Sequence, residues 1–352
     1  MKILVLTQKV DSGDDLLGFM HGWIEEFAKQ CERVTVICLQ EGAHELPSNV
    51  TTLSLGKPSS RLRYILNFYK YIWRERKNYD TVFVHMNPEY IILGGLLWRL
   101  WGKRVSLWYA HGHVPWILRL AERFCDIIFT STKSGCRLKN EKIKVIGQGI
   151  DTKKFRINLP VGREKLKIND FLKIISIGRI SPVKDYETLI LAGEILKNRG
   201  LNFSVDIIGG AGLPEQENYL ATLKGIVGKK NLSERFNFLG PKPNNEILKY
   251  LQSSDLFVNT SRTGSLDKAI VEAMSVGLPI LTCNEALQEV LGDYKDRLIY
   301  PRGDYKRLAE KILEIEKMSS DERQKLGGEL REIVVRDHSL ESFVSKIVVL
   351  GS

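Results

Sequence analysis

Short apolar, β-branched runs recur along the first part of the chain at 2–7, 34–39, 81–85, 104–109, 127–130 and 143–146. They are apolar at consecutive rather than alternating positions, as expected of strands buried on both faces. Stretches of helical spacing separate most of them, the first at 16–28 after a loop carrying Asp11, Gly13 and Asp14. A second series opens with a strand at 172–177 and continues with strands at 204–208, 236–239, 256–259 and 279–282. Helical patterns at 186–198, 215–227, 245–252 and 268–276 alternate with these, and three more (305–318, 320–334, 340–349) close the chain. Such alternation predicts an α/β protein of two doubly wound parallel sheets. The pattern pauses through Lys153, Lys154, Pro160 and Gly162. We therefore expect one domain over 1–152, a second over 153–334, and a terminal helix within 335–352 that packs back on the first.

The composition fits this reading. A chain of 352 residues suits two domains of roughly 150 each, and 43% hydrophobic with 27% charged residues excludes a disordered or fibrous protein. The longest uncharged apolar stretch, 90–98, ends at Arg99, about half the length of a membrane-spanning helix. The first apolar run is too short for a signal peptide, so a cytoplasmic location is expected. Five cysteines without a CxxC pair predict reduced, buried thiols and no metal site.

Charge changes the picture further. The net formal charge is +10, unevenly spread: residues 1–56 hold 4 Lys/Arg against 8 Asp/Glu, whereas 57–144 hold 17 against 6. Within the basic part, Arg61, Arg63, Lys70, Arg74, Arg76 and Lys77 interleave with Tyr64, Phe68, Tyr69, Tyr71 and Trp73. Either this helix lies on an anionic membrane, as a peripheral contact on its inner face, or its aromatics pack inward beneath solvated charges. No recognition motif accompanies the charge, which argues against nucleic acid.

Three glycine-rich turns at strand ends are candidates for anion binding, because they expose backbone N–H groups near helix N-termini. One runs from Gly178 through Arg179 to Lys184, two cations five residues apart before a helix; an arginine forks a phosphate and a lysine adds a point charge. A second is Gly264-Ser265-Leu266-Asp267-Lys268, followed by a helix in which Glu272 sits among apolar neighbours. That carboxylate could accept hydrogen bonds from vicinal hydroxyls such as those of a ribose, or simply complement the helix dipole. The third turn begins at Gly209. In Tyr109-Ala110-His111-Gly112-His113, two histidines follow a strand, while His21 and His85 read as structural.

Gly178-Arg179, Lys184-Asp185-Tyr186, Phe238-Leu239-Gly240 and Glu272-Ala273-Met274 with Gly277-Leu278-Pro279, at these separations, resemble the C-terminal half of family 4 retaining glycosyltransferases. Gly147-Gln148-Gly149-Ile150-Asp151 resembles that family's interdomain turn. The resemblance implies the GT-B fold, two facing Rossmann-like domains with a cleft between them, and metal-independent transfer of a hexose from a nucleotide-sugar such as a UDP- or GDP-sugar. It implies no cofactor beyond that co-substrate. Arg179 and Lys184 would neutralise the donor diphosphate, Glu272 would hold the ribose, and the turn 264–268 would present N–H groups to diphosphate and sugar. Gly178, Gly209, Gly240 and Pro241 would line the nucleotide, with Gly13 a weaker match, and His111 matches a histidine placed near the reacting sugar. The family often carries a glutamate where this chain has Gly264, which leaves Asp267 as the candidate for that sugar contact.

The acceptor implied is a hydroxyl, and the basic and aromatic stretch suggests a lipid-linked or cell-surface glycan. Two other readings stay open on the same fold: a sugar-nucleotide epimerase, and a non-catalytic nucleotide-sugar-binding module. A phosphorylase would need a much longer chain, and a dinucleotide oxidoreductase would need GxGxxG after the first strand, where the loop 8–15 has one glycine.

Overall fold

The computed structural model describes residues 1–58, 60–156 and 171–351, so Pro160 and Gly162 lie outside the described residues. The chain divides into two compact units, 1–151 with 337–352, and 152–336.

The first unit holds a seven-stranded parallel sheet of order β3-β2-β1-β4-β5-β6-β7. Its strands are β1 (Lys2–Val10), β2 (Arg33–Glu41), β3 (Val50–Ser54), β4 (Thr81–His85), β5 (Arg104–Trp108), β6 (Ile127–Thr130) and β7 (Ile143–Val145). Helices α1 (Phe19–Gln30), α2 (Arg61–Arg74), α3 (Pro88–Leu100) and α4 (Trp116–Ala121) connect them, and α13 (Leu340–Gly351) returns to this unit from the C-terminus. Alternate residues of β1 serve opposite cores. Ile3 and Val5 pack with Trp23, Phe27, Phe83 and Phe343, whereas Leu4 and Leu6 pack with Phe68, Tyr79 and Trp98. This two-sided burial is what the unbroken apolar runs require.

Two differences from the sequence expectation have local causes. β3 is an edge strand with every residue only half-buried, so its sequence, Val-Thr-Thr-Leu-Ser, carries no continuous apolar run. α1 starts three residues later than the periodicity suggests, because the Asp14 carboxylate accepts hydrogen bonds from the Leu16 and Leu17 N–H groups and holds the chain in a turn.

The turn at 147–151 has a clear structural reason for its glycines. Gly147 (φ +94°) leaves no room for a Cβ against the carbonyl of Asp337, and Gly149 (φ +65°) fits between Trp23 and Phe343. Ile150 N–H donates to His338 O at 2.8 Å, Leu340 N–H donates to Ile150 O at 2.7 Å, and the Trp23 indole donates to Gly149 O at 2.8 Å. The turn thus anchors the C-terminal segment beside α1. Gly147→Ala combines a left-handed backbone with a backbone clash, and should cost about 3 kcal/mol of stability, read as a lowered midpoint in urea unfolding.

The second unit has a five-stranded parallel sheet of order β10-β9-β8-β11-β12: β8 (Leu172–Ile177), β9 (Phe203–Ile208), β10 (Phe236–Gly240), β11 (Leu256–Asn259) and β12 (Ile280–Thr282). Its helices are α5 (Tyr186–Asn198), α6 (Pro214–Lys229), α7 (Asn244–Gln252), α8 (Lys268–Ser275), α9 (Ala286–Leu291), α10 (Lys295–Leu298), α11 (Tyr305–Glu316) and α12 (Ser320–Asp337). β8 lies between β9 and β11, where the strand order reverses. In open sheets of this kind the carboxyl end beside such a reversal is where ligands bind.

Candidate functional site

The carboxyl ends of β8, β9 and β10 carry Gly178, Gly209 and Gly240 side by side. Gly178 N–H donates to Ile208 O at 2.9 Å and Gly209 N–H to Gly240 O at 3.0 Å. A Cβ on Gly209 would run into the Gly178 carbonyl, and one on Gly178 would meet the Lys184 side chain at 3.1 Å. Gly240 turns with φ +70°, and Pro241 beyond it is exposed. These glycines leave a bare backbone edge at the sheet's end.

Two cations flank that edge, in different states. Arg179 is exposed and makes no ion pair with any described residue. Lys184, half-buried, is held by Asp267: its Nζ donates to both carboxylate oxygens at 2.9 Å. Asp267 also accepts from Asn259 Nδ2 at 3.0 Å. Asn259 is a buried hub at the end of β11, whose side-chain oxygen accepts from Thr282 Oγ1 at 3.2 Å and whose carbonyl accepts from Tyr300 Oη at 3.1 Å. Asp267 is therefore occupied in fixing the ammonium of Lys184.

The backbone behind Lys184 is fixed as well. Asp185 caps α5 from a left-handed conformation (φ +50°) that is strained for a non-glycine residue, and such outliers gather at functional sites. Its buried carboxylate accepts from Thr188 Oγ1 at 2.7 Å and Arg262 Nε at 3.0 Å. Arg262 N–H in turn donates to Val183 O at 2.9 Å, and Thr260 Oγ1 donates to Lys184 O. The two ligand-type turns, 178–185 and 260–268, are thereby stitched together.

In the second turn Gly264 is buried with φ +67°. A glutamate there would carry the cost of a left-handed L-residue, roughly 1–2 kcal/mol, which gives a physical reason for the glycine. Ser265 Oγ is buried with no hydrogen-bond partner among the described residues, an orphan hydroxyl beside a turn. The Ser265 carbonyl accepts from Asn284 Nδ2 at 2.6 Å, and Leu266 is buried.

α8 then carries Lys268 and Glu272 one turn apart. Glu272 is buried, and burial pushes its carboxyl above the usual range against the opposing pull of Lys268, Lys154 and a hydrogen bond from Asn244. Desolvation likewise draws the Lys268 ammonium down, to about 7, despite the neighbouring carboxylate. Lys154 Nζ donates to Asn244 Oδ1 at 3.0 Å, closing the group around Glu272. Lys154 and Asn244 were not singled out from sequence for this role. They lie 118 and 28 residues from Glu272, and no local spacing marks them.

Gly13 and His111 belong to the first unit. Gly13 is exposed with its N–H donated to Asp11 Oδ1 at 3.0 Å, in a loop organised by Lys9, whose Nζ meets Asp14 at 2.6 Å and Asp11 at 3.0 Å. His111 follows β5, is exposed, and accepts from His113 N–H through Nδ1 at 3.0 Å. Desolvation lowers its pKa below the ordinary histidine value. Of the sequence candidates, Gly178, Arg179, Lys184, Gly209, Gly240, Pro241, Gly264, Ser265, Leu266, Asp267, Lys268 and Glu272 all lie in the second unit.

Among the described residues, no group of His, Cys, Asp and Glu is disposed to hold a metal ion, and no helix is long and apolar enough to cross a membrane. The five cysteines are free and buried.

The chain resembles known proteins in sequence and in fold. Residues 161–332 match the family model described as Glycosyl transferases group 1. The chain is 31% identical over 188 residues to the amylovoran biosynthesis glycosyltransferase AmsK of Erwinia amylovora, covering 51% of this chain and 44% of that one. It is 28% identical over 292 residues to the UDP-Gal:alpha-D-GlcNAc-diphosphoundecaprenol alpha-1,3-galactosyltransferase of Escherichia coli, covering 71% of each. The chain spans about half the length of the first of these relatives. Among solved structures it resembles Anabaena HepE in complex with UDP and glucose (TM-score 0.77, 19% identity, 99% of both chains). Sucrose-phosphate synthase of Thermosynechococcus elongatus is similar as well (TM-score 0.77, 15% identity, 99% of this chain and 98% of that one). The two parallel sheets with their helices are the GT-B fold.

Proposed function

We propose that the protein is a family 4-type glycosyltransferase that moves a hexose from a nucleoside-diphosphate sugar to the hydroxyl of a lipid-linked or cell-surface glycan, with retention and without a metal. One observation carries this reading: Gly178, Arg179 and Lys184 in the turn after β8, and Ser265 with its orphan hydroxyl in the turn after β11, lie beyond the carboxyl ends of adjacent parallel strands, with a buried Glu272 on the next helix. The second unit is the donor domain in this proposal and the first is the acceptor-side domain.

Arg179 and Lys184 would meet the charge that grows on the diphosphate as the glycosyl bond breaks, the role a divalent ion plays elsewhere. The Ser265 hydroxyl would gain the partner it lacks by donating to a diphosphate oxygen. Glu272 would accept from the ribose hydroxyls. Retention through a protein nucleophile would need a second carboxylate roughly 5 Å from the first across the scissile bond. Asp267 is committed to Lys184 and Asn259, which favours attack of the acceptor hydroxyl on the face the diphosphate leaves. The acceptor proton then passes to the departing phosphate oxygen, and positioning supplies much of the rate. His111 would hydrogen-bond the reacting sugar from the acceptor side.

The relative named as acting on a diphosphoundecaprenol-linked sugar supports a lipid-linked acceptor. We place the chain's work at the cytoplasmic face of a membrane, as a peripheral protein. The test is incubation with UDP-, GDP- and ADP-sugars, with and without a polyprenyl-diphosphate-linked sugar, in excess chelator. Transfer to the lipid with the anomeric configuration of the donor kept, read by NMR of the product, is the expected result. Conversion of a sugar nucleotide without acceptor would instead mark an epimerase, and tight donor binding without turnover a binding module.

A further inference from the structure

α2 is apolar on two sides. Phe68 and Ile72 are buried in the core of the first unit. Leu62, Ile65, Leu66, Tyr69 and Trp73 form a second stripe at helical spacing that faces solvent, with Leu62, Leu66 and Trp73 exposed by 67%, 61% and 55%. The neighbouring helix α3 extends it. Tyr69 Oη donates to Leu93 O at 3.0 Å, the Trp73 and Trp101 rings meet at 5.6 Å, and Leu96 and Leu100 are exposed by 59% and 71%. A shallow groove of about 690 Å³ between the helices is lined by Tyr69, Lys70, Trp73, Arg74, Arg76 and Leu97. Soluble surfaces rarely gather this much apolar area in one place without a binding role.

Charge decides what the face fits. Six cations, Arg61, Arg63, Lys70, Arg74, Arg76 and Lys77, share residues 61–77 with one acid, Glu75. That acid is buried and accepts from Arg74 Nε at 2.8 Å. The Arg76 guanidinium stacks over the Trp73 ring at 4.5 Å, keeping a cation beside the apolar stripe. A second copy of this chain meeting the face by two-fold symmetry would bring like charges together. A bilayer of anionic lipids offers the complement, acyl chains for the leucines and phosphates for the rim, with tryptophan and tyrosine at the boundary between them.

We propose that the α2–α3 face is a peripheral docking surface for an anionic phospholipid bilayer, with the stripe from Leu62 to Trp73 set into the headgroup boundary and the surrounding arginines and lysines on lipid phosphates. The proposal rests on the reading above of a lipid-linked acceptor for its use, and names the surface that brings the protein to it.

The experiment is co-sedimentation of the full chain with vesicles of phosphatidylcholine alone, or mixed with phosphatidylglycerol at roughly three to one. The wild type should sediment with the mixed vesicles and stay in solution with the neutral ones. Leu66→Ser with Trp73→Ser should weaken partitioning about tenfold or more, and Arg63→Glu with Lys70→Glu should remove its salt dependence. Both variants change exposed residues, so the melting temperature and nucleotide titration should match wild type. Absence of sedimentation with anionic vesicles at low salt, or equal binding by the Leu66/Trp73 variant, would overturn the proposal. So would a dimer in ultracentrifugation that the same variant dissociates, since the face would then join two copies. Nucleotide binding without vesicle binding removes this surface and leaves the transferase reading; vesicle binding without nucleotide binding does the reverse.

Discussion

Arg179→Ala should lower kcat by about 10²–10³-fold with the melting temperature unchanged, because its exposed guanidinium makes no ion pair with any described residue and its proposed work is done in the transition state. Lys184→Ala should lose as much turnover and also some stability, since Asp267 and Asn259 are built around its ammonium. Asp267→Asn separates the two effects. The amide keeps the size of the side chain but no longer balances the lysine, so kcat should fall while the Km for donor changes little. If Asp267 instead contacts the sugar, Km rises with it. Steady-state kinetics beside thermal denaturation checks all three variants, and a kcat for Arg179→Ala within a few-fold of wild type would remove the charge-neutralising role.

Glu272→Ala should weaken nucleotide binding roughly ten- to a hundredfold, the worth of one or two hydrogen bonds to a charged acceptor. It also frees Lys268 and Lys154 from their shared carboxylate, so Glu272→Gln, which keeps the shape, is the better-controlled change. The pH dependence has a definite sign. Burial raises the Glu272 pKa, so the ionised form that accepts from hydroxyls is lost as pH falls, at a higher pH than for an ordinary carboxylate. Nucleotide affinity should therefore decline as pH falls and Glu272 takes up a proton, measured by titration calorimetry across pH. In Glu272→Gln this acid-side decline should vanish.

Much of the scaffold was legible because its strands are buried on both faces and so write unbroken apolar runs. β3 was missed since an edge strand of half-buried residues has no such signature. The glycines of the candidate site, Arg179 and Glu272 stand out in the sequence because they sit in or just after strand-to-helix turns, where the spacing of glycine, cation and helix start is local. What sequence could not give was which charge meets which. Lys184 and Asp267 are 83 residues apart in the chain, and only the sheet order, with β8 beside β11, brings their turns together. For the same reason Asp267, free in sequence to contact a sugar, is held by Lys184 in the structure. Nor did spacing decide whether the aromatics of α2 face in or out. The helix does both: Phe68 and Ile72 point to the core, Leu66 and Trp73 to solvent.

The proposed donor site is tested most directly by calorimetric titration of UDP, GDP and ADP into the full chain in excess chelator, repeated on Arg179→Ala and Glu272→Gln. One nucleotide should bind selectively without a metal, and both variants should weaken it. No binding by any of the three, or binding that needs a divalent ion and ignores both substitutions, would contradict a donor site built from Arg179, Lys184 and Glu272.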